Sequence, residues 1–127
     1  MFQIDLKSRK SIYQQVVDNM KELMITGVLK ANEKIPSVRD LSKMILVNPN
    51  TVQKAYRELE YQGYIYTTQG KGTFVAERNH KDVDMDRVNE VKGHLRTNIK
   101  ELQYLGLEKK DAKEIIDDLL AERSEWK

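Results

Sequence analysis

The sequence predicts an α+β fold, in which a winged helix-turn-helix domain is followed by a two-helix, all-α C-terminal dimerisation tail. Two short helical patterns separated only by Val47 and its neighbours predict the helix-turn-helix. Two strand-like runs joined by a glycine-containing turn come directly after them and predict the wing. Two further amphipathic segments predict the tail. We therefore expect two domains, residues 1–78 and residues 79–127.

The first helical pattern begins at Ser11 and ends at Gly27. Ser11, with Gln14 three residues later, resembles a capping box, and Gly27 can take the left-handed position after a helix end. A loop from Val28 to Pro36 is predicted to follow. The apolar positions at helical spacing are Ile12, Val16, Met20, Leu23 and Met24.

The next two helices form the predicted helix-turn-helix. Ser37, with Asp40 three residues later, repeats the capping-box pattern and begins a short helix through about Leu46. Asn48 is a good N-cap and Pro49 suits the first helical position, so the recognition helix is predicted over residues 48–62. The inward positions of the two helices are Val38, Leu41, Ile45, Val52, Ala55, Tyr56 and Leu59.

Aromatic and β-branched residues fill two runs after Gly63, residues 64–68 and 73–75. Residues 69–72 between them include two glycines, so the two runs are predicted to form a β-hairpin. This hairpin is the wing, over residues 64–76, and it completes the first domain.

The tail begins with a polar stretch, residues 78–86, which we interpret as a linker or a helix start. Apolar residues then recur at steps of three or four in two segments, with a break near Gly106. Two such helices cannot bury their stripes alone, so they must pack on each other, on the first domain or on a second copy. The predicted dimerisation residues are Val88, Val91, Leu95, Ile99, Leu102, Ile115, Ile116, Leu119 and Leu120.

Composition excludes several classes of function. The chain has no cysteine, which rules out disulfides, a thiol nucleophile and Cys-ligated metal sites. His80 and His94 are too far apart for a metal site, and Asp82, Asp84 and Asp86 lack the glycine and glutamate of a calcium loop. No nucleophile–base pair is recognisable. We therefore expect no enzyme activity, no cofactor and no metal.

The formal net charge of +2 conceals an uneven distribution. Residues 1–78 carry +4 and residues 79–127 carry −2, a distribution that would suit nucleic acid at the first domain but that many ordinary domains share. No apolar run approaches the ~18 residues that span a bilayer, and the N-terminus lacks a signal segment. We expect no membrane partner and a cytoplasmic location.

Polar and cationic residues occupy the surfaces that a winged helix-turn-helix turns towards DNA. Asn and Gln can pair with adenine in the major groove, and Thr can reach base edges. Lys and Arg suit phosphate, as do the free amide groups at helix starts, and a small cationic wing tip suits the minor groove or the backbone. The predicted DNA-binding residues are Ser37, Arg39, Asn48, Asn50, Thr51, Gln53, Lys54, Arg57, Gly70 and Lys71.

A resemblance to a known family rests on six segments in order, at compatible spacings: residues 12–15 (IYQQ), 25–29 (ITGVL), 35–41 (IPSVRDL), 50–59 (NTVQKAYREL), 63–65 (GYI) and 70–75 (GKGTFV). The span 12–75 resembles the DNA-binding domain of GntR-type transcriptional regulators. The resemblance implies that Arg39, the helix start at residues 48–53, and the wing at Gly70 and Lys71 contact operator DNA.

Two residues depart from the family pattern. Pro49 stands where many members have arginine, the commonest bidentate partner of guanine, so an A/T-leaning contact is predicted there. Asn32 stands where a glycine is frequent. The short tail resembles the YtrA-type branch, which implies a homodimer through the C-terminal helices, no sizeable effector pocket and, typically, repression of operons for membrane transporters. The sequence identifies no small-molecule effector, although residues 79–127 are where one would bind.

The sequence thus predicts a sequence-specific, DNA-binding transcriptional regulator, a homodimeric repressor on a pseudopalindromic operator. The alternative is a winged-helix protein-interaction module that no longer binds DNA, and its recognition helix would be neutral or acidic. Four tyrosines could instead stack on single-stranded bases, but packing is favoured for Tyr56 and at least one wing tyrosine. The four are Tyr13, Tyr56, Tyr64 and Tyr66.

Overall fold

The computed structural model describes residues 2–77, 83–123 and 126. The chain divides into two compact units, Met1–Arg78 and Asn79–Lys127. The predicted winged helix-turn-helix and the two C-terminal helices are confirmed. The elements are α1 (Ile12–Ile25), β1 (Lys34–Ile35), α2 (Val38–Ile45), α3 (Pro49–Tyr61), β2 (Ile65–Thr68), β3 (Gly72–Val75), α4 (Met85–Tyr104) and α5 (Lys109–Ala121).

The three helices of the first unit begin at their predicted caps. Each capping oxygen accepts a hydrogen bond from an amide N–H that the helix itself leaves unpaired. The bonds run from Gln14 N to Ser11 Oγ at 3.1 Å, from Asp40 N to Ser37 Oγ at 3.1 Å and from Asn50 N to Asn48 Oδ1 at 2.8 Å. Local sequence therefore sets where α1, α2 and α3 start.

A short turn joins α2 to α3 and is held by Ser42, a buried residue of α2. Leu46 ends α2 in the left-handed conformation, with φ of 56°, which is uncommon for a residue with a branched side chain. The Ser42 hydroxyl donates to the carbonyl of Val47 at 2.6 Å, and the Val47 amide donates to the carbonyl of Ser42 at 3.1 Å. These two bonds fix the angle at which α3 leaves α2.

The core of the first unit lies among α1, α2, α3 and the sheet. The predicted inward stripe of α3 is confirmed, since its four residues are all buried. Val38 and Ile45, both predicted to face inward on α2, are partly buried and pack against this core. The buried apolar residues are Val16, Val17, Met20, Ile35, Leu41, Val52, Ala55, Tyr56, Leu59, Ile65 and Val75.

The N-terminal segment widens the buried face of α1 beyond the predicted stripe. Phe2 and Ile4 pack against the core. Gln15, which is only 8% exposed, accepts from the Asp5 amide at 2.7 Å and donates to the Asp5 carbonyl at 2.9 Å. The Gln15 side chain thus bonds both the N–H and the C=O of Asp5, as a neighbouring strand would. This polar residue is therefore buried with its hydrogen bonds satisfied.

The wing belongs to a three-stranded antiparallel sheet of order β1–β3–β2. The prediction that residues 28–36 form only a loop is wrong, because β1 lies within them and pairs Lys34 with Phe74 and Ile35 with Thr73. A two-residue strand is too short to show alternation. Asn32, just before β1, has φ of 66°, a conformation that glycine and asparagine tolerate best.

The second unit consists of α4 and α5, which contact each other. The carboxylate of Asp84 caps α4 by accepting from the Arg87 amide at 3.1 Å, and Glu108 begins α5 with a capping box to Asp111. Neither helix contains a buried residue. None of the helices in the described part of the chain is long and apolar enough to cross a membrane.

Candidate nucleic-acid interface

The start of α2 presents Ser37 and Arg39 at an exposed edge of the first unit. The position of the start of α2 relative to α3 is fixed by Tyr56 of α3, whose hydroxyl donates to the carbonyl of Pro36 at 2.6 Å. Burial raises the pKa of Tyr56 far above its ordinary value, and the negative charge of Asp40 adds to the rise. Tyr56 is therefore a permanent, neutral hydrogen-bond donor that ties the second helix to the third.

The recognition helix has one buried face and one exposed face. Asn48, Asn50, Gln53, Lys54 and Arg57 are exposed, while Thr51 is half-buried. The oxygen of the Asn48 side chain is used in capping, which leaves its amide nitrogen to donate to DNA. Amide and cationic groups thus share one surface, as readout of base edges and phosphates requires.

Two open grooves flank this surface, and both are bordered by Tyr13 of α1 and Lys54 of α3. The first has a volume of about 400 Å³ and is lined by Ser11, Ile12, Tyr13, Asn50, Thr51 and Lys54. The second has a volume of about 540 Å³ and is lined by Tyr13, Lys54, Arg57, Glu58, Glu60 and Tyr61. The start of α1 therefore lies beside the first turns of the recognition helix.

The contact between these two elements is a cation–π pair. The ammonium nitrogen of Lys54 lies 4.3 Å from the centroid of the Tyr13 ring. Sequence reasoning placed Lys54 among the phosphate contacts but missed Tyr13, which it weighed only as a packing or stacking group. The sequence offered one signal for Tyr13, because it follows Ile12 of the apolar stripe and lies two residues after the Ser11 cap of α1.

The wing carries its predicted cation at the hairpin turn. Gly70 has φ of 79°, and the Lys71 amide donates to the carbonyl of Thr68 at 3.0 Å, so the side chain of Lys71 stands at an exposed tip. Gly72 has φ of 127°, a conformation that favours glycine, and a Cβ there would also displace the flexible end of the Lys34 side chain, whose Cε would lie 2.7 Å away.

The wing tyrosines pack, as predicted. Tyr66 stacks on Phe74 with ring centroids 5.5 Å apart, and its hydroxyl donates to the Asn32 side chain at 2.9 Å. Tyr64 is half-buried against the core. Tyr66 thus uses one face of its ring and its hydroxyl within the wing.

The described residues contain no group of three or more His, Asp or Glu side chains placed to hold a metal ion. His80 and Asp82, which we considered as candidate ligands, lie outside the described residues. Asp84 is used in capping α4.

Residues 12–75, half of the chain, match the sequence profile of a family described as "Bacterial regulatory proteins, gntR family". The chain belongs to the GntR family. Family members of this kind are transcriptional regulators with a DNA-binding helix-turn-helix, so this chain is a regulator and not an enzyme.

Relatives within the family identify the branch as YtrA-type. The HTH-type transcriptional repressor YtrA of Bacillus subtilis (strain 168) is 39% identical over 122 residues, which cover 96% of this chain and 94% of that protein. A crystal structure of a transcriptional antiterminator from Listeria monocytogenes EGD-e is 42% identical, with a TM-score of 0.84 over 94% of this chain and 89% of that chain.

A second solved structure is of a DNA complex. The DNA-binding domain of AraR in complex with its operator ORE1 is 30% identical, with a TM-score of 0.52 over 60% of this chain and 93% of that chain. GntR-family regulators thus bind operator DNA with a domain of the kind described above.

Proposed function

We propose that the protein is a homodimeric transcriptional repressor that binds a pseudopalindromic operator through the recognition helix, residues 48–62, and the wing, residues 64–76. In this proposal residues 1–78 bind DNA and residues 79–127 dimerise. The observation that carries it is the two-sided α3, with one face locked into the core and the other free for DNA. Glu58 and Glu60 make the recognition helix as a whole formally neutral, but its first ten residues, 48–57, carry Lys54 and Arg57 and no acidic residue, which favours DNA over the protein-interaction alternative.

The side chains divide by chemistry into two roles. Asn50, Thr51 and Gln53 are the base readers, because amide and hydroxyl groups discriminate base edges. Asn48 contributes the free half of its amide. The backbone contacts come from Ser37, Arg39, Lys54, Arg57 and Lys71, with Gly70 giving the wing tip its turn.

The second copy of the chain is the proposed occupant of the apolar stripes of α4 and α5. Most of these positions remain open, with Leu95 and Leu119 each 55% exposed, while Leu102 and Ile116 are half-buried and no residue of either helix is fully buried. Helices of this length are marginal in water without tertiary packing. A two-fold pair of recognition helices would also match an operator with half-sites about one helical turn apart. The stripe comprises Val88, Val91, Leu95, Ile99, Leu102, Ile115, Ile116, Leu119 and Leu120.

DNA binding is tested with the duplex that lies upstream of the protein's own gene. Arg39→Ala combined with Lys71→Ala should weaken binding at least about tenfold and should flatten the salt dependence, because phosphate contacts are lost. Lys92→Ala combined with Lys109→Ala is the matched control, since it removes the same charge from exposed positions on α4 and α5. Equal affinities for the two double variants would show that the proposed DNA face is wrong.

Dimerisation is tested by sedimentation. Leu95→Arg combined with Leu119→Arg places charge in the middle of both stripes and should give a monomer with much weaker operator affinity. Gln103→Arg introduces the same side chain at an exposed position off the stripe and should leave the dimer intact. A stripe variant that sediments as the wild type does would contradict the proposal.

A further inference from the structure

We propose that Tyr13 is a positioning residue for DNA binding, which holds the ammonium group of Lys54 at the groove between α1 and α3 so that it meets a backbone phosphate. The inference deepens the proposed function and rests on it. It adds α1, a helix outside the helix-turn-helix, to the surface that determines operator affinity.

The geometry shows that the ring orients the lysine. The Lys54 nitrogen lies 4.3 Å from the ring centroid, inside the ~6 Å range of a cation–π contact. Lys54 has no ion pair among the described residues. The acidic residue one turn later, Glu58, instead accepts a hydrogen bond from Gln62 at 3.0 Å. An aromatic face holds the cation here without neutralising it, so its full charge is left for DNA.

The position of the pair points to phosphate as the ligand. Lys54 borders the groove that also contains Asn50 and Thr51, the residues proposed to meet base edges. When the start of a recognition helix enters the major groove, the DNA backbone must pass along its flank. A lysine ammonium is a compact point charge that suits a phosphate oxygen. Lys54 is therefore expected to contribute affinity without sequence preference.

Tyr13 is suited to this role because its own position is fixed. It lies in the first turn of α1, two residues after the Ser11 cap, and it is half-buried against the core. A free lysine loses much rotamer freedom when it is ordered on DNA. Contact with a fixed ring restricts Lys54 beforehand, so less of that freedom remains to be lost on binding.

The test is a double-mutant cycle on the full-length protein, with affinities measured by fluorescence anisotropy over a range of salt. Lys54→Met should weaken binding to operator and scrambled duplexes by the same factor, and the slope of log K against log salt should become less negative by about 0.9 for each protomer. Tyr13→Leu should weaken operator binding about two- to fivefold for each protomer, because the released lysine then loses more rotamer freedom when it is ordered on DNA. Tyr13→Phe keeps the ring and should bind as the wild type does.

The decisive comparison is Tyr13→Leu in the Lys54→Met background, where it should have no further effect. A purely structural role for Tyr13 predicts the same loss in both backgrounds and would overturn the inference. A wild type that binds none of the upstream duplex would overturn the proposed function itself, and this inference with it. Proton NMR of the free protein tests the contact without requiring that Tyr13→Leu fold. The ring should shift the resonances of the Lys54 ε-methylene protons upfield in the wild type and in Tyr13→Phe. Unshifted resonances would refute the contact.

Discussion

Removing one oxygen atom, by Tyr56→Phe, should destabilise the first unit measurably. The Tyr56 hydroxyl donates to the Pro36 carbonyl at 2.6 Å, and the side chain is only 5% exposed. Phenylalanine keeps the buried ring, so no cavity forms and the free energy from burying the ring is unchanged. What is lost is one hydrogen bond, and the Pro36 carbonyl is left without that donor.

The expected loss is about 1–2 kcal/mol in the free energy of unfolding. A net hydrogen bond is worth about 1 kcal/mol, and an unsatisfied buried acceptor costs about 1–3 kcal/mol. Pro36 is only half-buried, so water can replace part of the lost bond, which puts the estimate in the lower part of that range. The loss should also weaken operator binding, because Pro36 directly precedes the Ser37 cap and Arg39.

Urea unfolding, followed by circular dichroism at one fixed protein concentration, measures this loss. The matched control is Tyr61→Phe, which removes a hydroxyl from a side chain that is 88% exposed and should change the stability by less than about 0.5 kcal/mol. The midpoint should fall for Tyr56→Phe while the slope m stays constant. Identical midpoints for Tyr56→Phe and the wild type would refute the argument that this bond locks α2 to α3.

Three further changes test other parts of the first unit. Gly63→Ala should cost about 1–2 kcal/mol in urea unfolding, because Gly63 has φ of 81° and no atom lies within 4 Å of the added Cβ, so backbone strain is the whole effect. Burial raises the pKa of Asp18, but hydrogen bonds from Lys10 and Gln14 outweigh it and the net pKa is lowered. The stability from Asp18 is thus present above its ordinary pKa of 3.8 and is lost as pH falls through the lower folded value. Urea titrations from about pH 5 down to about pH 2 should show a loss that Asp18→Asn lacks. Gln15→Leu should speed hydrogen exchange of the Asp5 amide about fivefold while distant core amides keep their rates.

Features that depend on near neighbours in the chain were predictable. The caps at Ser11, Ser37 and Asn48 each need only a polar residue and an amide two or three positions later, and the structure confirms all three. The buried stripe of α3 follows from helical spacing alone. Even the departure from the family pattern at Asn32 has a local cause, since the residue must adopt a left-handed conformation.

Features that depend on distant residues were not predictable. β1 exists because Lys34 and Ile35 meet Phe74 and Thr73, a pairing that leaves no trace in the short segment itself. The burial of Gln15 depends on an N-terminal segment that carries no helical or strand-like pattern.

The same limit applies to the candidate site. The site residues on α2, α3 and the wing follow from motif and residue type, and their contacts with DNA stay predictions. The pairing of Tyr13 with Lys54 requires α1 and α3 to be packed first, because the two residues are far apart in the sequence. Sequence reasoning therefore finds the residues that face a ligand more readily than the residues that hold them in place.

The helices α4 and α5 bury no side chain within the described chain, although their 20 and 13 residues are well formed and capped. Local terms such as caps and the Lys113–Asp117 pair, at 2.8 Å, each contribute only tenths of a kcal/mol. In the proposed homodimer the remaining free energy comes from the second copy that covers the stripes, and it therefore follows mass action. The second unit should therefore resist proteases more strongly at higher protein concentration. The lifetime of the regulator would then increase with its concentration.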